Sequence, residues 1–325
     1  ALLQVLGLLG DADAVPAVLS LFTREQIPSL KIAAALALGR LGDGRAASPL
    51  IAALNELPGD PSFRRAVALA LGQLRDPAAI PALGAILAEP DIIMVILGVR
   101  ALGETGRPEA VAPLVKLAGR LAREADSQRA TFLRAELLTV RIEVIQALGR
   151  LGDQRAWPLI ERSLVVTMPP ATSADALRIR ERLYELRRAA VLALSGMRDQ
   201  RKALGWLSRL LGDADPRSRA EAARAVGLRG EHGGMIVLRR ALRDKDPEVR
   251  WEAARAVGSV TARDGGLALR QVLADPHPRV VAEAARALGA LGVREALPEL
   301  EAMLQSRQED EVREALAEAL NLLRR

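Results

Sequence analysis

A pair of residues, leucine or valine followed in most cases by glycine, returns along the chain about every 31 to 33 residues. Its first member stands at Leu6, Leu38, Leu71, Leu102, Leu148, Leu194, Val226, Val257 and Leu288, with Leu320 before Asn321 as a degenerate last case. Two intervals, each of 46 residues, are longer than the rest. A period in this range is typical of stacked supersecondary units, none of which can bury its apolar face alone. The sequence therefore predicts an array of about nine units.

The composition favours an array made only of helices. Half of the residues are hydrophobic and 2% are aromatic, so alanine and leucine must build the core. Such a core suits close helix packing and disfavours strands. The absence of cysteine excludes disulfides, thiolate zinc sites and cysteine nucleophiles. No apolar run reaches the roughly 18 residues of a membrane-spanning helix, and residues 1 to 10 lack the basic start of a signal peptide. We expect a cytoplasmic protein, although the sequence does not fix the compartment.

Local signals divide each unit into two antiparallel helices. Asp-Pro pairs at 215–216, 246–247 and 275–276 are predicted to open helices, because Asp caps free N–H groups and Pro tolerates the first turn. Gly42 and Gly152, each followed by Asp, are predicted to end one helix and begin the next. The other glycines are expected to end helices as well. Prolines near the start of the first helix are Pro16, Pro49, Pro81, Pro113, Pro158 and Pro298.

The segments Asp246 to Gly258 and Ala37 to Asp43 resemble the HEAT repeat, in particular the short HEAT-like repeat named after phycobilisome lyases. The resemblance covers almost the whole chain. It implies an all-α fold, an α-solenoid wound as a right-handed superhelix whose second helices line a concave wall. It implies little about activity, because the family includes scaffolds, chromophore lyases, relatives of DNA glycosylases and a metal-dependent hydroxylase. We expect one domain spanning residues 1–325, excised from a longer chain.

A helical wheel separates the buried and outward faces of a second helix. One apolar stripe consists of Val249, Ala253, Ala256, Val257 and Val260. Trp251 and Arg255 point the opposite way, and the resemblance places such positions on the concave wall. Equivalent positions give the later units a column of Arg224, Arg255 and Arg286, which we name the arginine ladder. In the earlier units they give the aliphatic strip, Ile32, Leu36, Leu69, Ile96 and Ile142, with Arg100 beside it.

Each surface has two interpretations that the sequence leaves open. The arginine ladder can bind an acidic peptide or successive phosphates. Alternatively, Glu221, Glu252 and Glu283, three residues earlier in each helix, neutralise it. The aliphatic strip can be an exposed protein contact, or neighbouring units can cover it. A second arginine column flanks the core stripe, and the resemblance to HEAT-like units implies that it is structural and pairs with loop aspartates: Arg64, Arg141, Arg187, Arg219, Arg250 and Arg313.

Two neighbouring units carry insertions, near residues 119–139 and 165–187, each between the first and second helix of its unit. The insertions are predicted to lengthen the second helices at their N-terminal ends. Both carry acids as well as arginines, so neither is a strongly basic arm. They form either a solvated edge or a docking edge. The docking residues would be Arg129, Phe132, Arg134, Arg178, Arg182 and Tyr184.

Catalysis has little support in the sequence. The histidines His232 and His277 lie 45 residues apart, outside any metal-ligand spacing, and no nucleophile elbow, Walker loop or dinucleotide fingerprint is present. We therefore expect no enzyme, cofactor or metal. A glycosylase-like activity would need an acid on the concave wall, where only Glu314 and Glu318 fit, and a bilin lyase activity has no signature.

The sequence predicts a scaffold that binds another protein, through an acidic or apolar segment, on its concave wall, with the edge of the insertions as a further candidate surface. The alternative is nucleic-acid binding through the arginine ladder. A net charge of +6, from 46 basic and 40 acidic residues, is a mild excess for this length. Only four basic residues are lysines, a bias that we attribute to a GC-rich coding sequence.

Overall fold

The computed structural model describes residues 2–56, 60–126, 131–170, 172–230, 233–260 and 263–324, with side chains except at 125, 126, 131–135, 263 and 264. These residues form helices and short connections, without strands. In chain order the helices are α1 (Leu2–Leu9), α2 (Val15–Arg24), α3 (Pro28–Leu41), α4 (Ala47–Asn55), α5 (Pro61–Leu74), α6 (Ile80–Ile86), α7 (Ile92–Glu104), α8 (Val111–Asp126), α9 (Thr131–Leu151), α10 (Trp157–Leu164), α11 (Ala174–Gly196), α12 (Gln200–Leu210), α13 (Pro216–Arg229), α14 (Gly234–Ala241), α15 (Pro247–Ser259), α16 (Arg263–Val272), α17 (Pro278–Ala290), α18 (Leu297–Ser306) and α19 (Asp310–Arg324). Even-numbered helices are first helices and odd-numbered helices are second helices, so the predicted two-helix repeat is confirmed.

The connection from a second helix to the next first helix follows one pattern. Gly42 ends α3 with a φ of 70°, a left-handed conformation that suits glycine. The carboxylate of Asp43 then accepts a hydrogen bond from the backbone N–H of Arg45, which opens a short 3₁₀ turn before α4. Gly152 and Asp153 repeat this arrangement before α10. The predicted junctions are therefore confirmed, with the 3₁₀ turn as an added element.

Two of the three predicted Asp-Pro caps are confirmed. Asp215 and Asp246 each accept a hydrogen bond from the backbone N–H two residues later, at the starts of α13 and α15. The prediction for Asp275 is wrong, because α17 begins at Pro278 with His277 as its N-cap. Asp275 instead pairs with Arg250, as Asp244 pairs with Arg219 one repeat earlier. The Asp-Pro dipeptide alone does not distinguish the two positions.

The glycine of the repeated pair lies inside the second helix, where the next second helix touches it. A Cβ atom on Gly39 would lie 2.6 Å from the Cα atom of Ala70, and one on Gly72 would lie 2.7 Å from the Cα atom of Ala101. An alanine one repeat later also faces Gly103, Gly149, Gly227, Gly258 and Gly289. Side chains do not pack at such distances. The expectation that these glycines end helices is wrong. The glycine recurs once per repeat because each second helix packs closely against the next one at this position.

The chain divides into two compact units, Ala1–Ala193 and Leu194–Arg325. Within each unit, second helices pack extensively against the second helices of neighbouring repeats, whereas first helices contact one another at few points. Grooves therefore lie between neighbouring first helices. The single domain spanning 1–325 stays a prediction.

The insertions lengthen second helices as predicted. Helices α9 and α11 have 21 and 23 residues, whereas α15 and α17 have 13 each. The first insertion also lengthens the first helix α8, which has 16 residues. Both long second helices begin in the N-terminal unit.

Arginines link successive repeats through backbone carbonyls. In the N-terminal unit, Arg45 donates to the carbonyl of Ala12 at 3.3 Å, and Arg107 donates to the carbonyl of Arg75 at 3.2 Å. In the C-terminal unit, Arg229 donates to the carbonyl of Leu194 at 2.5 Å. The acceptors lie one repeat before the donors. Because a guanidinium group offers five donors in a fixed geometry, these contacts give part of the arginine excess a structural use.

Candidate partner-binding face

The arginine ladder lies on the outward face of second helices α13, α15 and α17, all in the C-terminal unit. The predicted apolar stripe of α15 is buried at every position, and Val249, Ala253 and Val257 are fully inaccessible. Trp251 and Arg255 are half-buried, which agrees with their place opposite the stripe. Arg224 and Arg286 are half-buried at the equivalent positions of α13 and α17. This burial is consistent with the outward face that the wheel predicts, and its role in binding stays a prediction.

Glutamates alternate with the ladder arginines. A terminal nitrogen of Arg255 lies 2.6 Å from a carboxylate oxygen of Glu252 on the same helix. Arg286 approaches Glu283 on its own helix at 3.9 Å and Glu318 on the next second helix at 3.6 Å. Glu252 also lies in the field of Arg224 one repeat earlier. The ladder is thus compensated by carboxylates on the same helices and on neighbouring ones.

The two charged rows differ in their exposure to solvent. The side chain of Arg255 is 42% exposed, whereas that of its partner Glu252 is 13% exposed. Arg286 and Glu283 show the same contrast, at 34% and 14%. The carboxylates therefore lie beneath the guanidinium groups, and the face presents positive charge outward although its nearby charges almost balance.

Trp251 lies within the ladder and contacts two arginines. The guanidinium carbon of Arg255 is 4.9 Å from the centre of the indole ring, and that of Arg279 is 5.1 Å from it. Both distances fall in the range of cation-π contacts. The indole N–H donates a hydrogen bond to Glu283, and Arg279 lies 3.5 Å from Glu248. Trp251 therefore holds cations and carboxylates from two neighbouring helices together.

Burial raises the pKa of both Glu252 and Glu283, and the attraction of nearby arginines only partly opposes this effect. An acid with a raised folded-state pKa contributes most stability below its unfolded pKa of about 4.3. That contribution is lost as the pH rises through the folded-state pKa. At neutral pH the ionised carboxylates therefore cost stability.

Glu252→Gln is accordingly expected to change the free energy of unfolding by less than about 1 kcal/mol at neutral pH, because the lost attraction to Arg255 is offset by the removed cost of burying a charge. Urea unfolding at pH 4 and pH 7 measures the effect. The variant should gain stability relative to the native chain as the pH rises. A relative loss on going from pH 4 to pH 7 would contradict this account.

The aliphatic strip is less exposed than an open contact surface requires. Ile142 is buried at 8% exposure, and Ile32, Leu36, Leu69 and Ile96 are half-buried. Close stacking of second helices covers much of each side chain. Beside the strip, the Nε atom of Arg100 lies 2.9 Å from the carboxylate of Glu143, which raises the pKa of Arg100. Ile93, which was not assigned to the strip, is the exposed apolar residue of α7.

The residues of the predicted docking edge are only partly described. Arg129 lies outside the described residues, and Phe132 and Arg134 are described as backbone of α9 alone. On α11, Arg178 is exposed, Arg182 lies 2.6 Å from Glu185, and Tyr184 is covered by Arg180 at 5.7 Å. Contacts along one helix therefore engage Arg182 and Tyr184, whereas Arg178 is open to solvent.

The structural arginine column has the expected partners at several positions. Arg219 and Arg250 bind Asp244 and Asp275 at 2.8 and 2.6 Å, and Arg64 binds Glu89 rather than an aspartate at 2.7 Å. Arg313 is exposed. Arg219 also donates to the carbonyls of Asp213 and Ala214. These arginines hold the loops that join first to second helices.

The described residues contain no group of three or more side chains arranged to hold a metal ion. His232 lies outside the described residues, and His277 is the N-cap of α17. Glu314 and Glu318 are both exposed, and Glu318 serves as a partner of Arg286.

Arg279 is the contributor to this face that the sequence interpretation missed. It lies 31 residues after Glu248, its partner across the repeat. Arg100 and Glu143 show a similar relation between neighbouring second helices. The sequence signal for such pairs is an arginine and a glutamate separated by about one repeat length.

An array of stacked two-helix repeats is an α-solenoid, and in this chain the second helices stack through glycine contacts. The sequence profile of HEAT repeats matches residues 1–60, 56–131, 174–246 and 236–321. The chain therefore belongs to the HEAT-repeat family, as the sequence resemblance predicted. Proteins of this fold commonly serve as interaction scaffolds. Comparison with curated proteins gives no match.

Several solved structures resemble the chain. The complex of CpcE and CpcF of phycocyanin lyase from Nostoc sp. PCC7120 has 20% identity and a TM-score of 0.46, covering 94% of this chain and 93% of that one. Human deoxyhypusine hydroxylase has 20% identity and a TM-score of 0.36, with coverages of 86% and 96%. Kap121p bound to Pho4p has 14% identity and a TM-score of 0.45, with coverages of 96% and 41%. At these identities the likeness concerns the fold alone.

Within the described residues, every helix is too short or too polar to span a bilayer.

Proposed function

We propose that the chain is a protein-binding scaffold whose arginine ladder receives an acidic segment of a partner. The observation that supports this most is the unequal exposure of the paired charges. Arg255 and Arg286 reach solvent while Glu252 and Glu283 lie beneath them. A carboxylate of the partner can then approach the outer side of each guanidinium group, where donors stay available.

Trp251 supports a protein partner within the same face. Its half-buried ring, flanked by Arg255 and Arg279, offers apolar contact area beside cations. Trp and Arg are the residue types that most often dominate protein interfaces. The carboxylates beneath the ladder reduce the phosphate attraction that nucleic-acid binding requires, so we favour a protein over a nucleic acid.

The proposal predicts that the triple variant Arg224→Gln, Arg255→Gln and Arg286→Gln stays folded and loses its partner. Glutamine removes the charges while keeping helix propensity. The matched control is Arg239→Gln, Arg240→Gln and Arg243→Gln, which removes three charges from exposed positions in and just after the first helix α14 of the same unit. Both variants should keep the far-ultraviolet circular dichroism of the native chain.

Affinity capture from a lysate of the source organism, with and without nuclease, provides the measurement. We expect one discrete protein to be retained by the native chain and the control after nuclease, and lost with the ladder variant. Capture that disappears with nuclease would move the assignment to nucleic acid. Equal capture by the ladder variant and the control would show that binding uses another face.

A further inference from the structure

A groove between first helices α6 and α8 lies on the side of the N-terminal unit away from the second helices. Its volume is about 420 Å³, within the range of sites that take a side chain or a small ligand. The groove exists because α6 ends after 7 residues whereas α8 continues for 16. Gly84 and Pro113 meet at its floor, where a Cβ atom on Gly84 would lie 3.5 Å from the Pro113 side chain.

The groove combines an apolar floor with a basic rim. Apolar lining comes from Pro81, Leu87, Ala88, Pro113 and Leu117. The charged lining residues described there are all cations, namely Lys116, Arg120 and Arg123. Arg120 donates to the carbonyl of Leu87 at 2.5 Å and lies 3.7 Å from Glu124. Lys116 and Arg123 are exposed at the rim.

A second groove shows that this charge pattern does not follow from the fold. It lies between α14 and α16 in the C-terminal unit, with a volume of about 380 Å³. Its lining includes Arg239 and Arg243 but also the carboxylate of Asp275, which binds Arg250. Both grooves lie between neighbouring first helices and have similar volumes, and their linings differ in charge.

We propose that the groove between α6 and α8 docks a partner segment in which leucine-sized apolar side chains are flanked by carboxylates. The apolar side chains would cover the floor, and the carboxylates would pair with Lys116 and Arg123 at the rim. This site uses first helices of the N-terminal unit and is therefore independent of the arginine ladder.

Fluorescence anisotropy with a short fluorescein-labelled peptide, two leucines between glutamates, tests the proposal. The full chain is used, both native and with the ladder arginines replaced by glutamine, so that ladder binding is measured separately. We expect Lys116→Glu with Arg123→Glu to weaken binding about tenfold or more, which is about 1.4 kcal/mol. Ala88→Trp, which fills the groove from an exposed position, should weaken binding similarly.

The matched control, Arg239→Glu with Arg243→Glu, makes the same charge change at the other groove and should leave binding within about twofold. A peptide with serines in place of leucines should bind at least about tenfold more weakly. Equal weakening by both charge variants, equal binding of the serine peptide, or no binding near a concentration on the order of 1 mM would each overturn the proposal. If replacing the ladder arginines does not change peptide binding, the proposal for this groove stands, because the groove does not use the ladder.

Discussion

Replacing Arg219 by methionine is expected to destabilise the C-terminal unit by about 3–5 kcal/mol, because it leaves a buried carboxylate without its partner. The side chains of Arg219 and Asp244 are 5% and 12% exposed, and their closest charged atoms lie 2.8 Å apart. The variant also removes a donor from the carbonyls of Asp213 and Ala214. Methionine replaces the unbranched apolar stem of arginine without the guanidinium group, so lost packing contributes little.

Chemical unfolding followed by hydrogen exchange of α13 and α15 measures this loss. The matched control is Arg270→Met, whose partner Glu299 forms an ion pair with exposures of 33% and 43%. It should cost less than about 1 kcal/mol. Similar losses from both variants would show that the Arg219 pair has no special role.

The same variant has a pH dependence of known sign. Burial raises the pKa of Asp244, but the hydrogen bonds from Arg219 and from the backbone N–H of Asp246 together hold it below its ordinary value. The resulting stability is present above the unfolded pKa of about 3.9 and is lost as the pH falls through the folded pKa. Without Arg219 the buried acid protonates more readily. The stability difference between native chain and variant should therefore shrink below about pH 4.

The repeat and the helical period located the two arginine columns, and the resemblance to HEAT repeats implied the loop aspartates and the concave wall. Arg219 and Arg250 have their loop aspartates, and Trp251 lies beside Arg255. The sequence left open whether glutamates neutralise the ladder. The structure combines both alternatives, since Glu252 pairs with Arg255 and yet lies beneath it. Relative depth depends on how neighbouring helices stack, which a wheel of one helix does not contain.

Glycine roles were harder to assign for a similar reason. Gly42 and Gly39 are three residues apart, yet one ends the helix with a positive φ and the other lies inside it against Ala70. Local sequence does not separate these roles, because the second depends on the distance to the next repeat. Substitutions can separate them, since a side chain at Gly39 meets backbone whereas one at Gly205 meets solvent.

Gly39→Leu is expected to destabilise the N-terminal unit by about 3 kcal/mol or more, because overpacking at this contact forces α3 and α5 apart. Its Cβ atom would lie 2.6 Å from the Cα atom and 2.8 Å from the carbonyl oxygen of Ala70, and backbone cannot rotate away as a side chain can. At Gly205 in α12 a Cβ atom meets nothing within 4 Å. Gly205→Leu should therefore gain about 0.5–1 kcal/mol of helix propensity. Urea unfolding measures the stability of both variants, and hydrogen exchange of α3 and α5 locates the loss in Gly39→Leu. If both substitutions change stability in the same direction, the close contact of second helices is not the reason for the recurring glycine.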